Sequence, residues 1–228
     1  MTEDKLSLRK YAAVIAILIV LVMTVLNVTL VNVALPVMAE KFGVSDSYAV
    51  WIVTIYQLAI TMLLLPLSSA GDLFSYRRNF LTGVVIFTSA SALCAASGSF
   101  TMILISRTLQ GVGAACVMSV NIALTRLIYP RHILGRGLAL NAIDIAIAMA
   151  AGPTIAGSIL SVASWHWLFI INVPFGITAF FIGRKLLPHN PPKEYKPKFD
   201  WISGIEDCFF LLAGASIEIN HADTKRRL

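Results

Sequence analysis

Long apolar segments dominate this sequence and constrain its fold more than any other feature. Six of them follow one another between residues 11 and 187, each close to the roughly 20 residues that an α-helix needs to cross a bilayer. Over the whole chain 57% of the residues are hydrophobic and 13% are charged, whereas about a quarter of a soluble domain is charged. Alternating ten-residue segments, which are typical of a membrane β-barrel, are absent. The pattern predicts an all-α, polytopic membrane protein.

The predicted spans are separated by charged loops and by tight turns containing glycine or proline. We expect the first helix to stop at Pro36 and a charged loop to begin at Gly71. Basic residues precede the first apolar run, as in a signal peptide, but the run is too long and lacks a cleavage site, so we expect a retained helix. The six expected spans cover about residues 11–34, 48–70, 80–97, 101–124, 137–162 and 168–182.

Basic residues divide unevenly between the two ends of the predicted bundle. One end carries only Lys41 in its loops. The other end carries Lys5, Arg9, Lys10, Arg77, Arg78, Arg126, Arg131, Arg136, Arg184, Lys185, Lys193, Lys196 and Lys198. Because lysine and arginine favour the cytoplasmic side, we expect a cytoplasmic N-terminus in a multi-pass protein of the inner or plasma membrane.

The sequence changes character after residue 187. Residues 188–200 combine four prolines with lysines, which predicts a stiff cytoplasmic linker. Residues 201–228 begin like a seventh span but contain Glu206, Asp207 and Glu218, and three acids make insertion unfavourable. We therefore expect a six-helix transmembrane domain over 1–187 and, over 201–228, an incomplete seventh helix and tail that does not span.

Several functional classes are disfavoured by composition. The net charge of +6 does not indicate a nucleic-acid partner, because the basic residues lie in membrane loops rather than on one face of a soluble helix. The cysteines and histidines have no metal-ligand spacing, and no nucleophile elbow, phosphate-binding loop or paired catalytic carboxylates occur. We expect a lipid-embedded protein that is not an enzyme and has neither a metal nor a cofactor.

One charge lies deep inside the fourth apolar segment. An arginine such as Arg107 costs several kcal/mol at membrane depth, so it marks a functional site or pairs with one. At 1.5 Å per residue, Asn27 lies at a matching depth and is an expected hydrogen-bond partner, as is a substrate group. Two interpretations stay open. Arg107 organises a polar site linked to coupling, or it bonds to backbone carbonyls for packing.

Asp144 is the only carboxylate in the middle of the six predicted spans. It lies about 10 Å from the inner end of the fifth span and differs in depth from Arg107 by a similar distance, so we do not expect a direct pair. A carboxyl group at this depth suits proton exchange, or it faces a wet cytoplasmic vestibule. Tyr56, Gln57 and Asn141 are further candidates to line a polar cavity.

Short motifs occur in a fixed order between residues 20 and 201. Together they resemble the major facilitator superfamily, specifically its drug:proton antiporter branch with fourteen helices. Residues 26–36 (LNVTLVNVALP) are similar to the helix-one motif LDxTIVNVALP, and residues 68–78 are similar to the loop motif GxLaDrxGrr. Arg107 with Gln110 and Gly111 matches the helix-four motif RxxQG, and residues 148–157 are similar to the helix-five motif GxxxGPxxGG. Residues 165–176 are similar to WRWiFxiNvPiG, and residues 199–201 resemble the entry to helix seven.

The departures from these motifs bear on mechanism. The family aspartate of helix one is Asn27, which cannot bind or release a proton. In the loop motif Ser68, Leu73 and Ser75 replace Gly, Arg and Gly, and in the helix-five motif Ala148 and Ala156 replace glycines. Members of the family have twelve or fourteen helices, and this chain supplies about half that number.

The resemblance implies a six-helix bundle built from two inverted three-helix repeats, the N-terminal half of a major facilitator fold. It implies proton-coupled efflux of drugs or organic cations by alternating access, driven by the proton gradient. We expect a truncated or half-length chain that pairs with a second half-chain or forms a homodimer. The alternatives are a non-transporting or decayed half, and a transporter of the same fold for another solute.

Two groups of residues are predicted to carry this function. The expected substrate and coupling residues, drawn from the resemblance and from the residue-level reasoning above, are Arg107, Asn27, Asp144, Gln110, Tyr56 and Gln57. The expected conformational residues are Asp72, Arg77, Arg78, Gly111, Gly152, Pro153 and Gly157. We expect the Asp72 turn to act as a latch that holds neighbouring helices in one conformation, and the alternative is a solvated topogenic loop. We expect Gly152–Pro153 to act as a hinge, and the alternative is an incidental kink.

Overall fold

The computed structural model describes residues 2–73 and 75–188, and this part of the chain contains helices and no β-strand. The six long helices are α1 (Thr2–Phe42), α2 (Trp51–Leu73), α3 (Tyr76–Ala95), α4 (Phe100–Ile128), α5 (Leu134–Val162) and α6 (Asn172–Leu186). One-turn helices, Asp46–Ala49 and Trp167–Ile170, precede α2 and α6, and a 3-10 turn, Arg131–Ile133, precedes α5. The described residues form six segments that are long and apolar enough to cross a membrane.

Helix neighbours follow a symmetric pattern. Helix α4 packs on α2 and α3, α1 packs on α5 and α6, and α3 packs on α6. If α1, α2 and α3 are exchanged with α4, α5 and α6 respectively, the same set of helix pairs is in contact. Each repeat has three spans, so α4 crosses in the opposite direction to α1. The fold is therefore two inverted three-helix repeats, as the sequence predicts.

Glycines allow the central helices to approach closely. A Cβ on Gly113 of α4 would lie 2.4 Å from the backbone nitrogen of Phe87 in α3, and one on Gly111 would lie 2.7 Å from the carbonyl oxygen of Tyr56 in α2. On the other repeat, a Cβ on Gly152 of α5 would lie 1.9 Å from Oγ1 of Thr29 in α1. Small residues at membrane helix contacts bring backbones together and increase van der Waals packing.

The first helix does not stop at Pro36, contrary to the prediction. It continues to Phe42 with the proline inside it. Pro36 is exposed near the end of the span, where the carbonyl that loses its hydrogen bond can be hydrated. The helix ends at Gly43, whose φ of +63° and the bond from Val44 N to Ala39 O of 3.1 Å form a Schellman-type cap.

The expected charged loop between α2 and α3 is also much shorter than predicted. Asp72 lies in the last turn of α2, while Arg77 and Arg78 lie in the first turn of α3. Long basic side chains extend towards water from a helix end, so their charge does not require a loop. The sixth span is divided at Ile171, because Pro174 cannot donate the backbone hydrogen bond that would join its two parts.

Two ends of the bundle can be distinguished. We name the end with the α2–α3 and α4–α5 connections the basic end, and the end with Gly43, Gly98 and Ser164 the aromatic end. The predicted linker beyond residue 188 and the predicted non-spanning tail over 201–228 lie outside the described residues. The assignment of the basic end to the cytoplasm stays a prediction.

Candidate functional site

Arg107 lies completely buried at the centre of the helix bundle. Its Nε atom donates to the carbonyl oxygen of Ile52 at 2.9 Å, and Nη1 donates to Gln110 Oε1 at 2.6 Å. Nη1 also donates to Asn27 Oδ1 on α1, the partner that matching depth predicts. The guanidinium therefore joins three helices through hydrogen bonds.

An aromatic ring covers the guanidinium group. The Cζ atom of Arg107 lies 4.1 Å from the centroid of the Tyr56 ring and 5.9 Å from that of Phe169. Cation–π attraction is stronger where water is excluded, and Arg107 and Tyr56 are both fully buried. The Tyr56 hydroxyl donates to the carbonyl oxygen of Thr24 at 3.1 Å, which holds the ring against α1.

The hydrogen-bond network continues into α3. Gln110 Nε2 donates to Ser91 Oγ at 2.7 Å, and Ser91 Oγ donates to the carbonyl oxygen of Phe87 at 2.8 Å. We name Asn27, Tyr56, Ser91, Arg107 and Gln110 the Arg107 cluster. Sequence reasoning missed Ser91, because a serine in an apolar span also bonds routinely to its own helix backbone.

Uncharged groups surround the Arg107 cation in this cluster. Every group that contacts Arg107 through the bonds and rings described above is an amide, a carbonyl or an aromatic ring. Within the described part of the chain, Arg107 Nη2 and Asn27 Nδ2 are buried without a hydrogen-bond partner. The cluster is therefore largely, but not completely, satisfied.

Aromatic residues close the bundle above this cluster. Trp165 is buried, and its ring lies 5.6 Å from that of Phe42 and 6.2 Å from that of Phe169, measured between centroids. His166 stacks on Trp165 at 3.7 Å, and its partial burial and, secondarily, the charge of Lys41 lower the pKa of its imidazole. The aromatic end thus separates Arg107 from the surrounding medium.

Asp144 lies apart from the Arg107 cluster and lines a cavity between α1, α5 and α6. The cavity has a volume of about 380 Å³, and its lining is apolar except for Asp144 and Asn172. Asp144 Oδ2 is buried and has no hydrogen-bond partner among the described residues. We name this space the Asp144 cavity. The carboxyl group faces an apolar cavity rather than a wet vestibule, and the proton-exchange alternative stays a prediction.

The structure does not bring Tyr56, Gln57 and Asn141 together in one polar cavity. Tyr56 belongs to the Arg107 cluster, whereas Gln57 is exposed on the neighbouring face of α2. Consecutive helical residues point in different directions. Asn141 instead lies with α4, where its Nδ2 is 3.3 Å from Thr125 Oγ1 and 3.5 Å from Asn121 Oδ1. The four-residue spacing of Asn121 and Thr125 was the sequence signal for this second polar cluster.

The predicted conformational residues occupy two separate regions. At the basic end the Tyr76 hydroxyl donates to Asp72, and the Arg77 guanidinium donates to the carbonyl oxygen of Arg184 near the end of α6. Arg78 is exposed. Gly111 and Gly152 lie in the close helix contacts described above, whereas Pro153 and Gly157 are exposed and open space surrounds Gly157.

Comparison with known proteins gives the family. The sequence profile of the Major Facilitator Superfamily matches residues 17–205. The chain belongs to the major facilitator superfamily. Its members are transporters and not enzymes, so Arg107 and Asp144 belong to a transport fold rather than to a catalytic site.

Similar proteins share this half of the fold. "Uncharacterized transporter YebQ" of Escherichia coli (strain K12) is 46% identical over 197 residues, covering 86% of this chain and 43% of that protein. "Riboflavin transporter RibZ" of Clostridioides difficile (strain 630) is 33% identical, covering 84% of this chain and 42% of its own length. "Putative multidrug resistance protein MdtD" of Escherichia coli O81 (strain ED1a) is 34% identical, covering 71% and 34%.

A solved structure has the same arrangement of helices. The proton:xylose symporter XylE superposes with a TM-score of 0.67 at 13% identity, covering 94% of this chain and 53% of that one. Identity this low supports the fold alone. The chain therefore spans about half of a solved transporter and less than half the length of the relatives that it matches.

Proposed function

We propose that this chain forms one half of a proton-coupled exporter of organic cations or hydrophobic drugs. The observation that carries the proposal is Asp144, a carboxyl group within a membrane span whose Oδ2 atom lacks a hydrogen-bond partner among the described residues. A carboxyl group free of internal partners can bind a proton or an organic cation in turn. Arg107 supports the proposal indirectly. Its side-chain hydrogen-bond partners, Asn27 and Gln110, cannot bind or release a proton, so proton exchange requires another group.

The proposal assigns different roles to the two charged residues. Arg107 holds α1, α2 and α4 together and maintains the shape of the half. Asp144 takes up a proton from one side of the membrane and releases it when a cationic substrate binds. The name of one relative, a putative multidrug resistance protein, supports this substrate class.

Alternating access requires a second six-helix unit that moves against the first. We propose that this unit is a second half-chain or a second copy of this chain. Helices α2 and α5 are the least buried of the six described spans, and each packs mainly on one central helix, α2 on α4 and α5 on α1. Their exposed faces are the surfaces that we assign to this contact.

A second candidate is a transporter of the same fold for a neutral or anionic solute. The relative named a riboflavin transporter, at 33% identity, favours it. Arg107 then supplies the recognising cation after a rearrangement that exposes it. This candidate predicts transport that survives the loss of Asp144.

Ethidium accumulation in cells tests the proposal. Two forms are compared, the 228-residue chain alone and two copies joined through a linker at the basic end. We expect efflux from a paired form, its loss in Asp144→Asn, and no loss in Asp46→Asn, a carboxylate in the exposed connection after α1. Proton-coupled efflux that persists in Asp144→Asn would contradict the coupling role, and no efflux in either form would leave the non-transporting half as the better explanation.

A further inference from the structure

The Asp144 cavity is complete within one six-helix unit. Its lining comes from α1, from Asp144 and Ile155 of α5, and from Asn172 and Phe175 of α6 together with the preceding Ile171. Helices α5 and α6 both pack on α1 but hardly touch each other. The space between them is open at the side of the bundle, where Phe175 and Ile15 are half exposed.

The cavity is elongated along α1. Its α1 lining extends from Ile15 to Leu30, about 22 Å at 1.5 Å per residue. A volume of about 380 Å³ spread along this length suits a flexible hydrocarbon chain better than a compact ring system.

The carboxylate lies part-way along this space. Gly152 of α5 lies against Thr29 of α1, and the two helices cross the membrane in the same direction. Asp144 precedes Gly152 by eight residues, which is about 12 Å towards the basic end. It is therefore level with about residue 21 of α1, so apolar cavity extends on both sides of it.

The electrostatics of the cavity favour a cation. None of the described residues that line it is basic, and none of them donates a hydrogen bond to Asp144 Oδ2. Burying an unpaired carboxylate is unfavourable, whereas an opposite charge within about 4–6 Å favours its charged form. The cavity volume lies within the usual range for small-molecule sites, which are mostly apolar with a few polar groups.

We propose that the Asp144 cavity binds a slender organic monocation, a single ammonium group on a flexible hydrocarbon chain, within this half alone. The ammonium pairs with Asp144, and the chain lies along the apolar face of α1. This inference deepens the proposed function, on which its relevance to transport rests. It concerns equilibrium binding to one half, and it needs neither a second half nor movement between halves.

Binding to the 228-residue chain in lipid nanodiscs tests the inference. The probe is radiolabelled decyltrimethylammonium, with empty nanodiscs as the background. We expect saturable binding to one site per chain and at least tenfold weaker binding to Asp144→Asn. Tetraphenylphosphonium has the same charge but a broad shape, and decanol has a similar chain without the charge. Both should compete at least tenfold more weakly than unlabelled probe.

A second variant tests the position of the site without changing its charge. Val22→Phe fills the cavity beside α1 and should weaken binding at least fivefold. Its matched control is Ile147→Phe, because Ile147 is 60% exposed on α5 and does not line the cavity. Thermal melting of each variant confirms that it is folded.

The outcomes separate this inference from the proposed function. Absence of saturable binding, full affinity in Asp144→Asn, or equal affinity for tetraphenylphosphonium would each overturn the Asp144 cavity as the site. Asp144-dependent efflux without binding to the single half would leave the proposed function standing. Binding by the single half without efflux in any paired form would overturn the function and keep the site.

Discussion

The Arg107 cluster and the Asp144 cavity place opposite charges in the same membrane domain under opposite conditions. Arg107 is fully buried, hydrogen-bonded to three helices and covered by the Tyr56 ring. Asp144 lies in an open apolar space, and its Oδ2 has no partner among the described residues. A charge that the fold has largely satisfied through several helices contributes to structure, whereas a charge in an open cavity is available to a proton or a ligand. Four substitutions test this difference through stability, from the largest expected effect to the smallest.

Arg107→Ala should cause the largest loss of stability. It removes three hydrogen bonds from a charged donor to buried acceptors, each worth about 1.5–3 kcal/mol, and it also creates a cavity. We expect a loss of at least about 3 kcal/mol, measured by denaturant unfolding in mixed micelles. The control is Arg126→Ala on the same helix, where the side chain is exposed and the change should be within about 0.5 kcal/mol. Equal effects of the two variants would remove the structural role of Arg107.

Gly152→Ala should destabilise the α1–α5 contact beside the Asp144 cavity. The added Cβ would lie 2.5 Å from Cβ of Thr29, an atom that a rotamer change cannot move, so the helices must separate. Overpacking of this kind costs about 1–3 kcal/mol. Gly157→Ala on the same helix meets open space and should be neutral or slightly stabilising. The contact would prove adaptable if both alanine variants unfolded at the same denaturant concentration.

Asn27→Asp should stabilise the domain by about 1 kcal/mol, because it adds an anion beside a cation that is already buried. It also restores the residue that the helix-one motif contains. The measurement is the shift in melting temperature, with Ser47→Asp in the exposed connection after α1 as the control. A destabilised Asn27→Asp, with Ser47→Asp unchanged, would show that Arg107 gains nothing from an added anion.

Asp144→Leu should have the smallest effect on stability. An apolar side chain replaces an unpartnered polar group in apolar surroundings, so the change should be within about 1 kcal/mol and in the stabilising direction. Asp144→Asn, which keeps the polarity, serves as the comparison. A loss as large as that of Arg107→Ala would mean that Asp144 has a structural partner, and the contrast between the two regions would no longer hold.

Several elements of the fold and the site could be predicted from sequence. The six spans follow from the lengths of the apolar runs, because a helix must match the thickness of the bilayer. The Arg107–Asn27 contact follows from depth, since the rise per residue is the same in every helix. The predicted helix ends were less accurate. A helix tolerates a proline such as Pro36 near a membrane surface, and it tolerates basic residues in its first turn.

The neighbours of each helix and the direction of each side chain depended on the tertiary structure. Tyr56 and Gln57 are adjacent in sequence, yet one covers Arg107 and the other is exposed. Nothing in the chain around Asp144 indicated that α5 and α6 would separate on α1 and leave an apolar cavity there. The inverted repeat, which the sequence indicated only through a family resemblance, is seen directly in the symmetric set of helix contacts.

The sequence by itself determined the class of protein, the number of spans and the depth of each polar residue along its helix. Those properties depend on transfer from water to hydrocarbon, which each segment experiences independently. Only the tertiary structure decided the rotation of each helix, and with it the burial of Arg107 and the open position of Asp144. In a membrane the lipid-facing and protein-facing sides of a helix are both apolar, so rotation depends on the fit of neighbouring helices, which a single segment does not encode.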